Sequence, residues 1–255
     1  MNILNKFRRL AKWVHLLRNW HLKILEHYGF IQGQDVIYQL RNGLSLKMKA
    51  GRQNSDSLIL WDIYINRPYT QHDFRIKKDD IVVDIGAHIG IFTTYAALHS
   101  KEVYAYEPVP STFSYLVENV KLNKFSNVFL YNYAVSDRHK KLPIYMAKGS
   151  SGSHSAYKTE TKTDEFIEVN VISLEDILSE NKLKGVDFLK LDCEGSEYDI
   201  IFGASSEVLA RVKKMAIELH PRKDQSEDKS KQFLSENGFT LTFPRRHIVY
   251  ASREE

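Results

Sequence analysis

The chain has 255 residues, 43% hydrophobic and 27% charged, which is enough for a folded α/β core of one sizeable domain and ordinary for a globular protein. Its one cysteine, Cys193, excludes an internal disulfide and fits a reducing, cytoplasmic compartment. The formal net charge of +4 gathers at the start, where Lys6, Arg8, Arg9, Lys12, Arg18 and Lys23 face Glu26 alone; the rest is near neutral, so no nucleic-acid partner is expected.

Residues 1–30 read as an amphipathic helical segment. Ile3, Phe7, Leu10, Val14 and Leu17 recur at helical spacing, with cations on the other side. Arg8, Arg9, Lys12 and Arg18 interrupt any apolar stretch, so neither a signal peptide nor a membrane span is expected. The helix either packs on its own domain or a second subunit, or lies on a membrane surface with Trp13 and Trp20 as anchors. The packed reading is preferred, and a peripheral membrane contact and a homodimer stay open.

Residues 31–80 read as a strand and hairpin extension. DVIYQLRNGLSLKMK alternates apolar and polar residues about Asn42-Gly43, a hairpin turn signal. SLILWDIYI is a strand or a short helix, and a polar connection follows. Residues 81–255 then read as one α/β domain. Strands are expected at Ile81–Ile85, Glu102–Pro108, NVFLYNYAV, KLPIYMA, FIEVNVI, VDFLKLD, VKKMAIELH, FTLTF and HIVYAS. Helices are expected at Ile89–His99, Ser111–Leu122, Ser173–Leu178, SEYDIIFGA and SEDKSKQFLSENG. This alternation implies a mostly parallel sheet with helices on both faces. The polar stretch KGSSGSHSAYKTETKTDE is either a surface loop or a substrate loop on the binding face.

An open parallel sheet binds ligands beyond the carboxyl ends of its strands. Asp84, Glu107, Asp192 and Glu218-Leu219-His220 all fall at such ends. The turn Gly86-Ala87-His88-Ile89-Gly90 would let a ligand approach bare backbone. The acid two residues before Gly86 suits a cofactor with a cationic end. Neither the dinucleotide glycine pattern nor a P-loop occurs. Glu107, at the end of the next strand, could accept two hydrogen bonds from a ribose diol. Capping of the helix after Pro108 is the competing role.

The blocks VVDIGAHIGIFTTYAA, VYAYEPVPSTFSYLVENVKLN, NYAVSD, SGSHSAY, VNVISLEDIL, VDFLKLDCEGSEYDII and IELHP follow one another in this order. Together, over roughly Asn42–Pro221, they resemble the FkbM family of S-adenosylmethionine-dependent methyltransferases. The resemblance implies a class I methyltransferase sheet, Rossmann-like, of seven strands with the last antiparallel. It also implies that the turn Asp84–Gly90, with Gly86, Ala87 and His88, wraps the methionine part of S-adenosylmethionine. Glu107, with Pro108 after it, would take the ribose hydroxyls. Asn132–Asp137 would line the adenine, with Ala134 leaving space for the ring, and Asp192 would lie near the reacting centre. His88 departs from the small polar residue, such as Asn, that the family often carries there.

Methyl transfer from a sulfonium is an in-line displacement, so alignment of the acceptor matters most. A hydroxyl acceptor also needs its proton removed. His220, whose ordinary pKa suits a base near neutrality, is the first candidate; Glu194 and Asp192 follow. Glu197 suits the first turn of the next helix and is set aside. Mg held by Asp192, Glu218 and His220 is the rival and is not favoured; no zinc spacing occurs. The expected function is therefore O-methylation of a hydroxyl on a sugar, lipid-linked or natural-product-like small molecule. A non-catalytic nucleoside-cofactor-binding scaffold and a nicotinamide-dependent oxidoreductase are the alternatives.

Overall fold

The computed structural model describes residues 3–51, 55–71, 73–147, 155–157 and 162–253. Two helices, α1 (Ile3–Leu16) and α2 (His21–Tyr28), precede the hairpin β1 (Asp35–Gln39) and β2 (Ser45–Lys49). Helix α3 (Asp56–Trp61) runs into a π-helical turn, Asp62–Asn66. The sheet begins with β3 (Ile81–Ile85), α4 (Ile91–Ala97), β4 (Glu102–Tyr106), α5 (Pro110–Leu122) and β5 (Val128–Tyr131). Then come β6 (Ala134–Ser136), β7 (Lys140–Ala147) and β8 (Lys162–Ser173). The chain closes with α6 (Leu174–Glu180), β9 (Val186–Leu191), α7 (Glu197–Gly203), α8 (Ser206–Leu209), β10 (Val212–Glu218), α9 (Glu227–Glu236), β11 (Thr240–Arg245) and β12 (Ile248–Ser252).

The main sheet has seven strands in the order β11-β12-β10-β9-β3-β4-β5. Strands β10, β9, β3, β4 and β5 are parallel, while β12 runs antiparallel to both β10 and β11. This is the α/β class I methyltransferase arrangement, with the last strand slotted in reverse. β3 and β9 lie at the centre, covered on both faces, which is why their sequences are almost continuously apolar.

Alternation along the strands splits the core. Val83, Ile85, Leu189 and Leu191 face one side with Ile177 of α6 and Ile200 of α7. Val82, Val103 and Phe188 face the other with Phe92 of α4, Trp13, Leu17, Tyr38 and Leu46. Buried side chains between Trp13 and Met48 thus pack on the second face. Trp13 meets Trp61 edge-on at 5.1 Å, and Leu17 is fully buried. Trp13 and Leu17 pack on their own domain. The single helix expected there is broken at Leu17–Trp20, where Leu17 bridges Leu40. The side chains of Ile3 and Phe7 lie outside the described residues. Among the described residues, no helix is long and apolar enough to cross a membrane.

Asn119, fully buried on α5, fastens the hairpin to the sheet. Its Oδ1 accepts from Lys47 N at 2.6 Å, and its Nδ2 donates to the carbonyls of Lys47 (3.0 Å) and Ile89 (2.8 Å). SLILWDIYI is helical, not extended. NVFLYNYAV is not one strand: β5 stays in the main sheet, and β6 joins a separate sheet ordered β6-β8-β7. Asn132 makes the break, its amide donating to the carbonyls of Glu107 and Pro108 at 2.8 and 3.0 Å. Helix α6 opens with the expected capping box, Ser173 Oγ accepting from Asp176 N at 3.1 Å and Asp176 Oδ2 from Ser173 N at 2.7 Å.

Candidate active site

β3 delivers its last residues to a turn that presses against the end of β9. Gly86 has φ 80°, and a Cβ there would stand 1.8 Å from the backbone oxygen of Asp192. The N–H groups of Gly86 and Ala87 both donate to Tyr106 O at 3.0 Å. His88 sits at φ 54°, a left-handed conformation that suits Asn better than most residues. Gly90, at φ 87°, precedes the first residue of α4.

Asp84 is fully buried behind this turn and does not line the cleft. Its Oδ2 accepts from Thr93 Oγ1 at 2.6 Å, and its Oδ1 from Lys190 Nζ at 3.1 Å. Lys190, 2% exposed, also donates to Gly86 O at 3.0 Å. Burial works against its charge, but Asp84 and Asp192 outweigh that and raise the ammonium pKa above its usual value. A lysine within the apolar run of VDFLKLD is the sequence signal for this ion pair.

Glu107 ends β4 and is 6% exposed. Its Oε2 accepts from His88 N at 3.0 Å and its Oε1 from Val109 N at 2.9 Å. Burial pushes the carboxyl up to about 7, against the pull of these two N–H groups. Each oxygen keeps a second lone pair. The carboxylate holds the Val109 N–H just ahead of α5 and lines the cleft. The cleft has a volume of about 350 Å³. Gly86, Ala87, His88, Pro108 and Ala134 line it with Glu107, and Tyr133 and Ile144 add apolar surface.

The far end of the cleft is acidic. Asp192, Glu194, Glu218 and His220 all line it. They are joined there by Tyr69, which precedes the sheet in sequence. The Tyr69 hydroxyl stands 2.6 Å from Glu218 Oε2 and 2.9 Å from Asp192 Oδ2. Lys190 Nζ is 3.5 Å from Asp192 Oδ2. Burial opposes the Asp192 charge, yet Lys190, His220 and the Tyr69 hydrogen bond hold its pKa below the usual value. Glu218 goes the other way, raised by burial and by the Asp192 charge.

His220 stands between two glutamates. Its Nδ1 lies 2.9 Å from Glu197 Oε1, and its Nε2 lies 3.9 Å from Glu194 Oε1. Burial disfavours the imidazolium, but the hydrogen bond to Glu197 and the charges of Glu197, Asp192 and Glu194 push its pKa up to about 10. That shift favours the imidazolium and weighs against His220 as the base, while the Nδ1 contact to Glu197 is one that a neutral ring protonated on Nδ1 also makes. Glu197, set aside as a helix-dipole residue, is fully buried and organises the loop: it also accepts from Cys193 N at 2.7 Å and Gly195 N at 2.9 Å.

Among the described residues, no group of three His, Cys, Asp or Glu side chains could hold a metal ion. Asp192 and Glu218 share the Tyr69 hydroxyl, and Lys190 supplies the cation. Of the polar loop at 148–165, the structure describes 155–157 and 162–165. Ser155 Oγ donates to Glu194 O at 2.5 Å, and the Arg222 guanidinium lies 3.7 Å from the Tyr157 ring centroid. This part of the loop thus rests against the cleft residue Glu194.

The methyltransferase FkbM domain family matches residues 84–241. Methyltransferase 1 of Beauveria bassiana is 26% identical over 228 residues, covering 81% of this chain and 90% of that protein. The 31-O-demethyl-FK506 methyltransferase FkbM of Streptomyces tacrolimicus is 24% identical, covering 73% of this chain and 83% of its own. The hexuronic acid methyltransferase AglP of Haloferax volcanii is 23% identical, covering 86% and 84%. A crystal structure of a methyltransferase FkbM from Methylobacillus flagellatus KT shares the fold with a TM-score of 0.50 at 18% identity, over 72% of this chain and 47% of that one. The match starts at the acid of the glycine turn and runs through β10 into β11, so the chain belongs to the FkbM family of S-adenosylmethionine-dependent methyltransferases.

Proposed function

We propose that the protein transfers a methyl group to a hydroxyl of a sugar, lipid-linked or natural-product-like acceptor. Glu107 carries this reading for the donor: a buried carboxyl with two spare lone pairs faces the cleft beside a bare glycine turn. These residues fit S-adenosylmethionine, whose bound sulfonium supplies an electrophilic methyl group. Gly86, Ala87, His88 and Gly90 would lie along the methionine part, with Lys190 and Asp84 fixing the turn from behind. Glu107 and Pro108 would hold the ribose, and Ala134 would leave room for the adenine. Asp192 would stand near the reacting centre with Glu194, and His220 would steady both acids as a cation. The acceptor class rests on the acidic end of the cleft, which offers proton-accepting groups, and on two relatives whose names specify a natural-product and a hexuronic acid substrate.

Isothermal calorimetry with S-adenosylhomocysteine tests the donor half. Ribose hydroxyls donate to the ionised form of Glu107, so affinity should fall as pH drops below about 7, where that carboxyl gains a proton. Glu107→Gln should bind about 10²-fold more weakly, at ~1.5–3 kcal/mol for a lost hydrogen bond to a charged group, and should lose that pH dependence. Unchanged affinity in the variant would remove the ribose role.

A further inference from the structure

We infer that Glu218, held by the Tyr69 hydroxyl against Asp192, is the catalytic group that takes the proton from the acceptor hydroxyl. This rests on the hydroxyl reading above. A phenol has one proton, so Tyr69 cannot donate to both carboxylates at once. With both acids ionised it donates to one of them, and the shorter contact, 2.6 Å, is to Glu218. When Glu218 gains a proton, its own O–H donates to the phenol oxygen, and the phenol turns its O–H to Asp192 at 2.9 Å. A proton is thus accommodated by rotation of one hydroxyl, with no polar group left unsatisfied.

The surroundings select Glu218 among the four candidates. Asp192 is kept anionic by the Lys190 ammonium at 3.5 Å. His220 is drawn toward the imidazolium by Glu197, 2.9 Å from its Nδ1. Glu194 stands 3.9 Å from His220 Nε2. Glu218 faces Tyr69, Asp192, Lys190 and His220, and burial together with the Asp192 charge raises its affinity for a proton. Tyr69 is held well above its usual pKa by burial and these same acids, so it stays a neutral relay. In the step itself, the acceptor oxygen gains the methyl carbon as the carbon–sulfur bond breaks. The bonding pair stays on sulfur as a neutral thioether, and the one proton released goes to Glu218. Tyr69 is a positioning residue, supplied by sequence ahead of the family match, which begins at residue 84.

The test uses the full chain saturated with S-adenosylhomocysteine. Carboxyl carbon-13 NMR, assigned with Glu218→Gln, should show Glu218 titrating above the ordinary carboxylate range. Tyr69→Phe should move that titration upward by about one unit, because the phenol bond favours the anion. In turnover with methyl β-D-glucuronide as probe, Glu218→Gln should lower kcat by about 10²–10⁴-fold with little change in affinity for S-adenosylhomocysteine. Tyr69→Phe should shift the acid limb of the kcat profile upward by the same amount as the NMR titration. An ordinary Glu218 titration, no movement in Tyr69→Phe, or full kcat in Glu218→Gln would overturn the inference. The product separates this from the reading beneath it. A base-stable methyl ether supports hydroxyl transfer. A base-labile methyl ester overturns hydroxyl transfer, and with it the need for Glu218 as a base, whatever the titration shows.

Discussion

Gly86→Ala should abolish measurable binding of S-adenosylhomocysteine and lower stability by about 2–5 kcal/mol, taking overpacking at ~1–3 and the left-handed backbone at ~1–2. The new methyl group would stand 1.8 Å from the Asp192 oxygen and 2.7 Å from its carbonyl carbon. Both atoms are backbone, at the point where Asp192 N donates to Ile85 O at 3.2 Å, so relief requires the two central strand ends to part. That movement would carry Asp192 and the glycine turn out of register together, and a misplacement of about 1 Å is worth ~10²-fold in rate. Gly90→Ala is the internal comparison. Its φ is as unfavourable, but the nearest atom is a Leu116 methyl at 2.6 Å, the far end of a side chain that can turn aside. Thermal melts and calorimetry should therefore rank Gly86→Ala well below Gly90→Ala. Equal behaviour of the two would mean the contact between β3 and β9 is not what makes Gly86 necessary.

Lys190→Met should lower stability by about 3–5 kcal/mol, the range for removing one partner of a buried ion pair. Methionine fills similar volume, so the loss comes from what is stranded. Asp84 would keep the Thr93 hydroxyl on one oxygen and lose the ammonium from the other, at a site with no exposure to water. The Gly86 carbonyl would lose its donor as well. If the stranded carboxylate is the cause, the double variant Asp84→Asn, Lys190→Met should recover part of the loss, because an amide needs no counter-ion there. A denaturant unfolding cycle over the four proteins measures that coupling. Additive losses would instead assign the effect to packing of the lysine stem against Tyr69 and Phe92, whose ring centroids lie 5.4 and 5.6 Å from Nζ.

Local signals wrote much of the fold. An apolar run ending at Asp84, the Asn42-Gly43 turn and Ser173 with Asp176 each announce an element from within a few residues. Contacts across the chain were not legible in the same way. The break between β5 and β6 depends on Asn132 reaching the Glu107 carbonyl, 25 positions away, while the apolar pattern runs on through Tyr133 and Ala134. The rim of acids was visible because strand ends share one edge of a parallel sheet. Their protonation was not. His220 is pushed toward its charged form by Glu197, 23 positions earlier, whose helix-start position gave it an ordinary explanation. Tyr69 was silent for a related reason: it lies in a polar connection without periodicity, and its partners are 123 and 149 positions on.

Ser55, Ile59, Asp62, Ile63, Pro68 and Tyr69 all border the cleft, although every one of them is translated before the first strand of the main sheet. The cleft is thus built from two stretches of the polypeptide, which meet where Tyr69 touches Asp192 and Glu218. On the proposed reading, exchange of the leading stretch between relatives should change the choice of acceptor more than the affinity for S-adenosylhomocysteine. A fragment trimmed to residues 84–241 would lose that leading wall, and the reversed strand beside β10 with it.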